Sequence, residues 1–436
     1  MRYSPPSPSF YTQNRAHLAA NLPGNALAVL HSNDVMPTSA DGTMTFHQNR
    51  DLLYLCGIDQ EETILILFPD APDPQDREIL FIRETSDLIA IWEGQKFTQK
   101  QAAQISGIEN IQWTNTFEHS LRRLMKKTNT VFLNYNEHAR ATRQVQSRDD
   151  RFRDQCQTNW PNHHYHRIAP LISALRAIKA PEETDLLQIA CDITEAGFSR
   201  VLKFIKPGVT EYQVEAEFLH EFLHRRSRGF AYTPIVASGK NNCVLHYLDN
   251  NETLQDGDLL LMDVAAEYAG YNADMTRTVP VNGHFSKRQR AVYNAVLRVL
   301  NTAANDLLRP GIAIKDYQKQ VARLVERELV DLTLLSAEQV NADNANPDTP
   351  EETKAYRQYF MHGTSHLLGL DVHDVGPADL IVREGMVFTV EPGLYLREEG
   401  FGIRLENNYL VGKDSNTNLM ADIPIDPDEI EAMMAK

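Results

Sequence analysis

The C-terminal part of the chain runs through one pattern twice, in the same order. A helical stretch leads into IKPGVTEYQVEAEFLHEFLHR (Ile205–Arg225), and another leads into LRPGIAIKDYQKQVARLVER (Leu308–Arg327). Each is a helix, a Pro-Gly stop and a second helix with Tyr-Gln near its start. Each then reaches an apolar strand opened by an acid-Gly pair and closed by an acid seven residues after the first: QDGDLLLMD (Gln255–Asp263) and REGMVFTVE (Arg383–Glu391). Agreement in order at two places indicates an internal duplication. Two such halves fold about an approximate twofold, their strands in one curved sheet with helices behind it. Equivalent acids then face each other across the centre, where a metal would sit.

The strands continue into matched hairpins. In DLLLMDVAAEYAGYNADMTRTV, two strands flank EYAGYN and Gly270 supplies the turn. Closure near Tyr268–Ala269 sets Asp263 opposite Asp274. VFTVEPGLYLREEGFGIRLENN repeats the device and sets Glu391 opposite Glu406. Paired positions bring Cβ atoms to about 4.5–5.5 Å. A single Asp in a strand usually marks an edge or a turn. Four acids at the ends of apolar strands have no such explanation, because buried carboxylates are costly unless paired or bound to a cation. Arg404, two residues before Glu406 on the same strand face, is placed to neutralise part of the cluster. Oxygen-rich sites with one or two imidazoles favour Mn²⁺, with Co²⁺, Fe²⁺ or Zn²⁺ as substitutes. Two acids per half suit two ions about 3.5–4 Å apart.

FMHGTSHLLGLDVHDVG carries three histidines, His362, His366 and His373. The first two have the spacing of a zinc-protease helix, but Gly-Thr-Ser between them lacks the general-base Glu, and Gly369 follows. Spacing does not decide which of them joins the carboxylates.

At 436 residues the chain is long enough for two domains. In its first part NALAVLHS, TILILFP, EILFIR and TVFLNYN read as strands. FEHSLRRLMKK and the segment after Ser9 read as amphipathic helices. A mixed α/β domain over residues 1–175 would end near the polar stretch ARATRQVQSRDDRFRDQ, leaving 176–436 as the duplicated domain. The acidic SAEQVNADNANPDTPEET reads as a surface loop. Of the formal charge of −16, residues 1–175 hold 17 Lys/Arg against 19 Asp/Glu, and the remainder 26 against 40. That balance argues against nucleic acid, whose phosphates require a basic face. No run approaches the roughly 18 apolar residues of a membrane span, and Met1–Asn14 has no signal-peptide core. Cys56, Cys156, Cys191 and Cys243 form no CxxC pair, which fits reduced thiols in a cytoplasm.

Taken together, LHY (Leu245–Tyr247), MDVAAEYAGYNADMTRTVPVNGHF, MHGTSHLLGLDVHDVG, VEPGLY and IRLENN resemble the pita-bread metallopeptidases, the fold of methionine aminopeptidase, creatinase, prolidase and aminopeptidase P. The likeness to aminopeptidase P is the strongest. It covers 176–436, and residues 1–175 fit that family's N-terminal domain with weaker signals. The resemblance implies an α+β chain: a C-terminal pita-bread domain with a pseudo-twofold and a smaller mixed α/β N-terminal domain. It implies that Asp263, Asp274, His366, Glu391 and Glu406 ligate two divalent ions, usually manganese. Asp274 and Glu406 would bridge them, Asp263 would complete one ion, and His366 with Glu391 the other. His246, His362 and His373 match the family's non-ligand histidines. NNCVL before His246 departs mildly from the family's pattern, without chemical consequence.

The implied activity is that of a hydrolase, an Xaa-Pro aminopeptidase. Hydroxide bridging two metal ions attacks the first residue's carbonyl, polarised by a metal and His373, and Glu391 carries the proton to the leaving proline nitrogen. Proline lacks an N–H and has a fixed φ, so its slot should be apolar; His362, Tyr395 and Arg404 would frame it. Trp92 resembles a residue that reaches a neighbouring subunit's site, in a homo-oligomer, dimer or tetramer. The alternatives are a prolidase confined to Xaa-Pro dipeptides and a non-catalytic pita-bread binding module, which would lose metal ligands.

Overall fold

The computed structural model describes residues 3–138, 140–141, 144–345 and 349–435. They form two compact units. One comprises residues 5–176 with 375–377; the other comprises 177–374 and 378–436 with the segment up to Ser4.

In the first unit the order is α1 (Pro8–Asn21), β1 (Ala26–His31), α2 (Arg50–Cys56), β2 (Ile64–Leu67), β3 (Glu78–Ile82), α3 (Asp87–Glu93), α4 (Gln99–Ser106), β4 (Ile111–Trp113), α5 (Phe117–Met125), β5 (Thr130–Leu133), α6 (Arg148–Asn159), β6 (His164–Arg167) and α7 (Ala169–Ala177). The strands make one mixed sheet, ordered β4-β3-β2-β1-β5-β6. Leu27, Val29, Ile66, Phe81 and Val131 pack on Phe117, Leu121 and Phe152 to form its core. The four apolar runs of the sequence are β1, β2, β3 and β5. The polar stretch at 139–155 contains the start of α6. That helix is opened by a Ser147–Asp150 capping box and buries little apolar surface beyond Phe152 and Cys156, so it has almost no hydrophobic period to read. Residues 139, 142 and 143 of that stretch lie outside the described residues.

The second unit continues with α8 (Pro181–Leu202), α9 (Glu211–His224), β7 (Ile235–Ser238), β8 (Leu259–Asp263), β9 (Glu267–Tyr268), β10 (Tyr271–Asn272), β11 (Thr276–Pro280), α10 (Lys287–Thr302), α11 (Ile314–Asp331), α12 (Ala337–Ala345), β12 (Val387–Val390), β13 (Gly393–Leu396), β14 (Phe401–Arg404), β15 (Asn407–Leu410), β16 (Thr417–Asn418) and α13 (Pro427–Met434). The duplication extends to backbone detail. Gly208 and Gly311, each after its helix-stopping proline, both have φ +92°, and Gly257 and Gly385 ahead of β8 and β12 have +85° and +84°. Side chains rarely adopt these angles, and glycine does so without strain. Gly208 N–H donates to Leu254 C=O and Leu254 N–H to Val209 C=O; Gly311 and Val382 exchange the same bonds through Val382 and Ile312.

Two expectations are corrected here. The strands do not form one continuous sheet. The ladders are β11-β8-β7 and β12-β15-β16, with separate hairpins β9/β10 and β13/β14. Between β11 and β14 the Thr278 hydroxyl takes the Arg404 N–H (3.2 Å) and donates to the Arg404 carbonyl (3.1 Å), so a side chain replaces the ladder. The segment read as a surface loop contains α12, started by a reciprocal Ser336–Gln339 cap and burying no residue. Its residues 346–348 lie outside the described residues.

Candidate metal centre

The acids arrive at the centre by strand register. In the second half Val390 pairs with Asn407 and Gly393 with Arg404, so Glu391 falls opposite Glu406, as the sequence indicates. In the first half Asp263 pairs with Thr276, not Asp274. The turn is Ala269–Gly270, both at positive φ, one residue later than expected, and this slides the pairing by two. Asp274 therefore sits diagonally from Asp263, still on the central face.

Asp274, His366 and Glu406 each offer a donor atom, and the three atoms lie within 4.8 Å of one another. His366 Nδ1 is 2.9 Å from the Leu367 carbonyl, which can only accept, so that nitrogen carries the proton. Nε2 then points at Asp274 (3.4 Å) and Glu391 (3.5 Å). A bare lone pair facing two carboxylates is repulsive, and a positive charge between them, a proton on Nε2 or a metal ion, removes the conflict. Metal-bound histidines are held in this way, with the remote N–H on a backbone carbonyl. Glu406 Oε2 accepts from Thr276 Oγ1 at 2.8 Å, while its Oε1 is buried without a hydrogen-bond partner.

The electrostatics agree. Burial, with mutual repulsion among the acids, pushes Glu406 well above the usual carboxylate range and Glu391 up to about 7. Burial also raises Asp263, although Arg404 opposes the rise. Burial disfavours a charged His366, yet Asp274 and Glu391 outweigh it and raise its pKa. This many buried acids cannot all ionise unless positive charge is added. The donor set is oxygen with a single imidazole and no thiolate, which fits a hard divalent ion.

A second chain of contacts runs outward from Asp263. Arg404 Nη2 donates to Asp263 Oδ2 (2.7 Å) and Nη1 to the Tyr395 hydroxyl (2.8 Å). That hydroxyl is 2.7 Å from His362 Nε2. His362 Nδ1 lies 2.7 Å from the Gly363 carbonyl, so it holds the proton, and Tyr395 donates to Nε2. Burial and the Arg404 charge lower His362 to about 3, so it stays neutral. His373 meets the His366 ring edge-on, centroids 4.4 Å apart. His246 is exposed and acts on His362 electrostatically. Trp92 belongs to the other unit, on α3, and is 81% exposed.

Three residues of the site had no assignment from sequence. Tyr232 donates to Asp263 Oδ1 at 2.6 Å. Asn408 brackets the Asp274 backbone, accepting its N–H (3.0 Å) and donating to its carbonyl (2.6 Å). Thr276 serves Glu406 and also accepts from Arg404 Nε at 3.1 Å. Asn408 ends the IRLENN motif and could have been suspected; nothing marks a lone Tyr or Thr.

Residues 185–413 match metallopeptidase family M24, and residues 11–132 match the aminopeptidase P N-terminal domain. The Xaa-Pro aminopeptidase of Escherichia coli strain K12 is 34% identical, covering 98% of this chain and 97% of its own. Human Xaa-Pro aminopeptidase 3 is 31% identical over 94% of this chain and 80% of its own. Among solved structures, an E. coli aminopeptidase P variant in complex with substrate superposes with TM-score 0.86 at 32% identity, covering 99% of both chains. A zinc-substituted E. coli aminopeptidase P in complex with product gives the same TM-score, identity and coverage. The chain belongs to metallopeptidase family M24, on the pita-bread fold. Within that family it is a hydrolase of the aminopeptidase P type, and the prolidase alternative is not favoured.

Proposed function

We propose that Asp263, Asp274, His366, Glu391 and Glu406 hold two divalent ions, manganese in the working enzyme, for release of the N-terminal residue from peptides with proline second. Asp274 and Glu406 would serve both ions, Asp263 one of them, and His366 with Glu391 the other. The observation that carries this reading is the convergence of Asp274, His366 and Glu406 donor atoms to within 4.8 Å of one another, with Glu406 Oε1 buried and without a hydrogen-bond partner. When bound, the ions supply Lewis acidity and a water acidified to near neutral pH.

The chain's own groups do the rest. Glu391, ionised beside the ions, accepts the proton of the attacking water and returns it to the proline nitrogen as that bond breaks. His373 donates to the substrate carbonyl oxygen as charge develops there. The acid cluster favours a free, positively charged amino terminus, which selects exopeptidase cleavage. His362, kept neutral by burial and Arg404 and held in one tautomer by the Gly363 carbonyl, frames the proline slot with Tyr395 and Arg404, and His246 lines its mouth. The slot's apolar wall is supported by partly buried Cys243, Leu245 and Met361, packed against the buried cluster that includes Leu261, Tyr247 and Tyr395. Such a wall suits a residue that brings no N–H. Comparing rates on Ala-Pro and Ala-Pro-Pro with the manganese-loaded enzyme tests the reading. Cleavage of the longer peptide is expected; activity confined to the dipeptide contradicts it.

We further infer a catalytic domain at 176–436 after an N-terminal domain at 1–175, and a cytoplasmic homo-oligomer, dimer or tetramer. Leu88, Ile91 and Trp92 on α3 are 65%, 78% and 81% exposed, and that helix buries none of its residues, which supports burial against another copy with Trp92 at its partner's site. Three of the four thiols are buried, as suits a reducing compartment. The acidic surface disfavours nucleic acid. Among the described residues no helix is long and apolar enough to cross a membrane.

A further inference from the structure

One buried ion pair lies outside the acid cluster and takes no part in the chemistry described so far. Lys179 Nζ is 2.7 Å from Asp374 Oδ2, and both side chains are 1% exposed. Two charges withdrawn this far from water add little stability over apolar residues of the same size. What such a pair can supply is position, since its geometry is far more specific than apolar contact.

The position in question is that of His373, the residue before Asp374. His373 is exposed, and an exposed ring takes much of its placement from the backbone that carries it. That backbone is tied down on several sides. Asp374 N–H donates to the Leu367 carbonyl (2.9 Å), next to His366, and Gly369 N–H donates to the Asp371 carbonyl (3.1 Å). The Asn272 side-chain amide, two residues before Asp274, donates to the Leu370 carbonyl at 2.8 Å. Lys179 anchors the loop from the start of α8. Its own N–H donates to the Gly385 carbonyl at 2.8 Å, in the turn that opens β12. Its charge also acts on Glu183, whose carboxylate accepts the Tyr271 hydroxyl at 3.0 Å. One cation thus links α8, the first-half hairpin, the approach to Glu391 and the histidine loop. The loop is shaped to receive it. A Cβ at Gly369 would run into Asp374 Oδ2 and come within 2.7 Å of Lys179 Nζ.

We propose that Lys179 is a positioning residue for the aminopeptidase reaction: through Asp374 it fixes where the His373 imidazole meets the substrate carbonyl. This rests on the role given to His373 above.

The test is steady-state kinetics on an Xaa-Pro peptide with manganese-loaded Lys179→Met, Asp374→Asn, His373→Ala and the combined Lys179→Met/His373→Ala, with metal content measured for each. Misplacing a group by about 1 Å costs on the order of 10²-fold, so kcat is expected to fall about 10- to 100-fold in the first two, with KM and bound metal near wild type. The combined variant is expected to be no slower than His373→Ala alone, because a residue acting only through His373 then has nothing left to position. Wild-type kcat in Lys179→Met, or losses that multiply in the combined variant, overturn the proposal. Should Lys179→Met not fold with its aspartate unpaired, Lys179→Met/Asp374→Asn replaces it with the same expectations, since it buries no lone charge. Wild-type turnover in His373→Ala refutes the role of His373, and this proposal with it, while leaving the aminopeptidase activity intact.

Discussion

Chelation should reverse the pH dependence of this protein's stability. Without metal, burial places the Glu391 carboxyl at about 7 against an ordinary 4.5. The difference corresponds to about 3 kcal/mol against its charged form. The folded metal-free chain therefore keeps a proton that the unfolded chain releases between those values. This contribution is fully present below about 4.5 and is lost as pH rises through about 7. In the loaded enzyme the proposed cations would hold the carboxylate ionised, placing its folded pKa below the unfolded one, and stability would be lost as pH falls instead. Calorimetric melting of chelator-treated protein between pH 5 and 8, wild type against Glu391→Gln, isolates the group. About 2.5 kcal/mol of that difference falls between pH 5 and 8, so at about 2–4 °C per kcal/mol for a domain this large the wild-type transition should fall about 5–10 °C more than the variant's. Trp92, Trp113 and Trp160 all lie within residues 5–176, so tryptophan fluorescence follows the other unit and serves as an internal control. Equal slopes for the two proteins, or a metal-free melting point that rises with pH more steeply in the wild type, would refute the reasoning.

Other outcomes follow from the same contacts. Asp274→Asn removes a charge from the carboxylate cluster and should abolish turnover while leaving the circular dichroism spectrum unchanged; near-normal kcat contradicts its proposed role as a metal ligand. Thr276→Val deletes the hydroxyl that serves both Glu406 and Arg404, and should weaken manganese binding about 10- to 100-fold in a direct titration. Gly208→Ala and Gly311→Ala, at equal φ with nothing within 4 Å of the new Cβ, should each cost about 1–2 kcal/mol in urea unfolding, from backbone strain alone. Unequal costs would argue that the two turns are not equivalents.

The duplication was legible because its signals are local: a Pro-Gly stop, an acid-Gly pair and an apolar strand ending on an acid each follow from short-range chemistry. The acids themselves stood out because ionisable groups at the ends of apolar strands are expensive. Register was less secure. The hairpin pattern sets Asp263 opposite Asp274, whereas a turn one residue further along sets it opposite Thr276. In the second hairpin the pairing runs on through Glu391–Pro392, and the register matches the sequence pattern. Helices that bury almost nothing, such as α12, left no hydrophobic period, although the Ser336–Gln339 cap was present to be read. Tyr232, Asn408 and Lys179 could not be assigned from spacing, because their partners lie 31, 134 and 195 positions away. Their meaning is tertiary.

Calorimetric titration of manganese into chelator-treated protein, beside Glu406→Gln, tests most directly whether carboxylates from the two halves close on a common centre. Two ions per wild-type chain are expected, with both weakened together by the substitution because Glu406 is shared. Uptake of no ion, or of two ions with affinities that Glu406→Gln leaves unchanged, would contradict the shared centre.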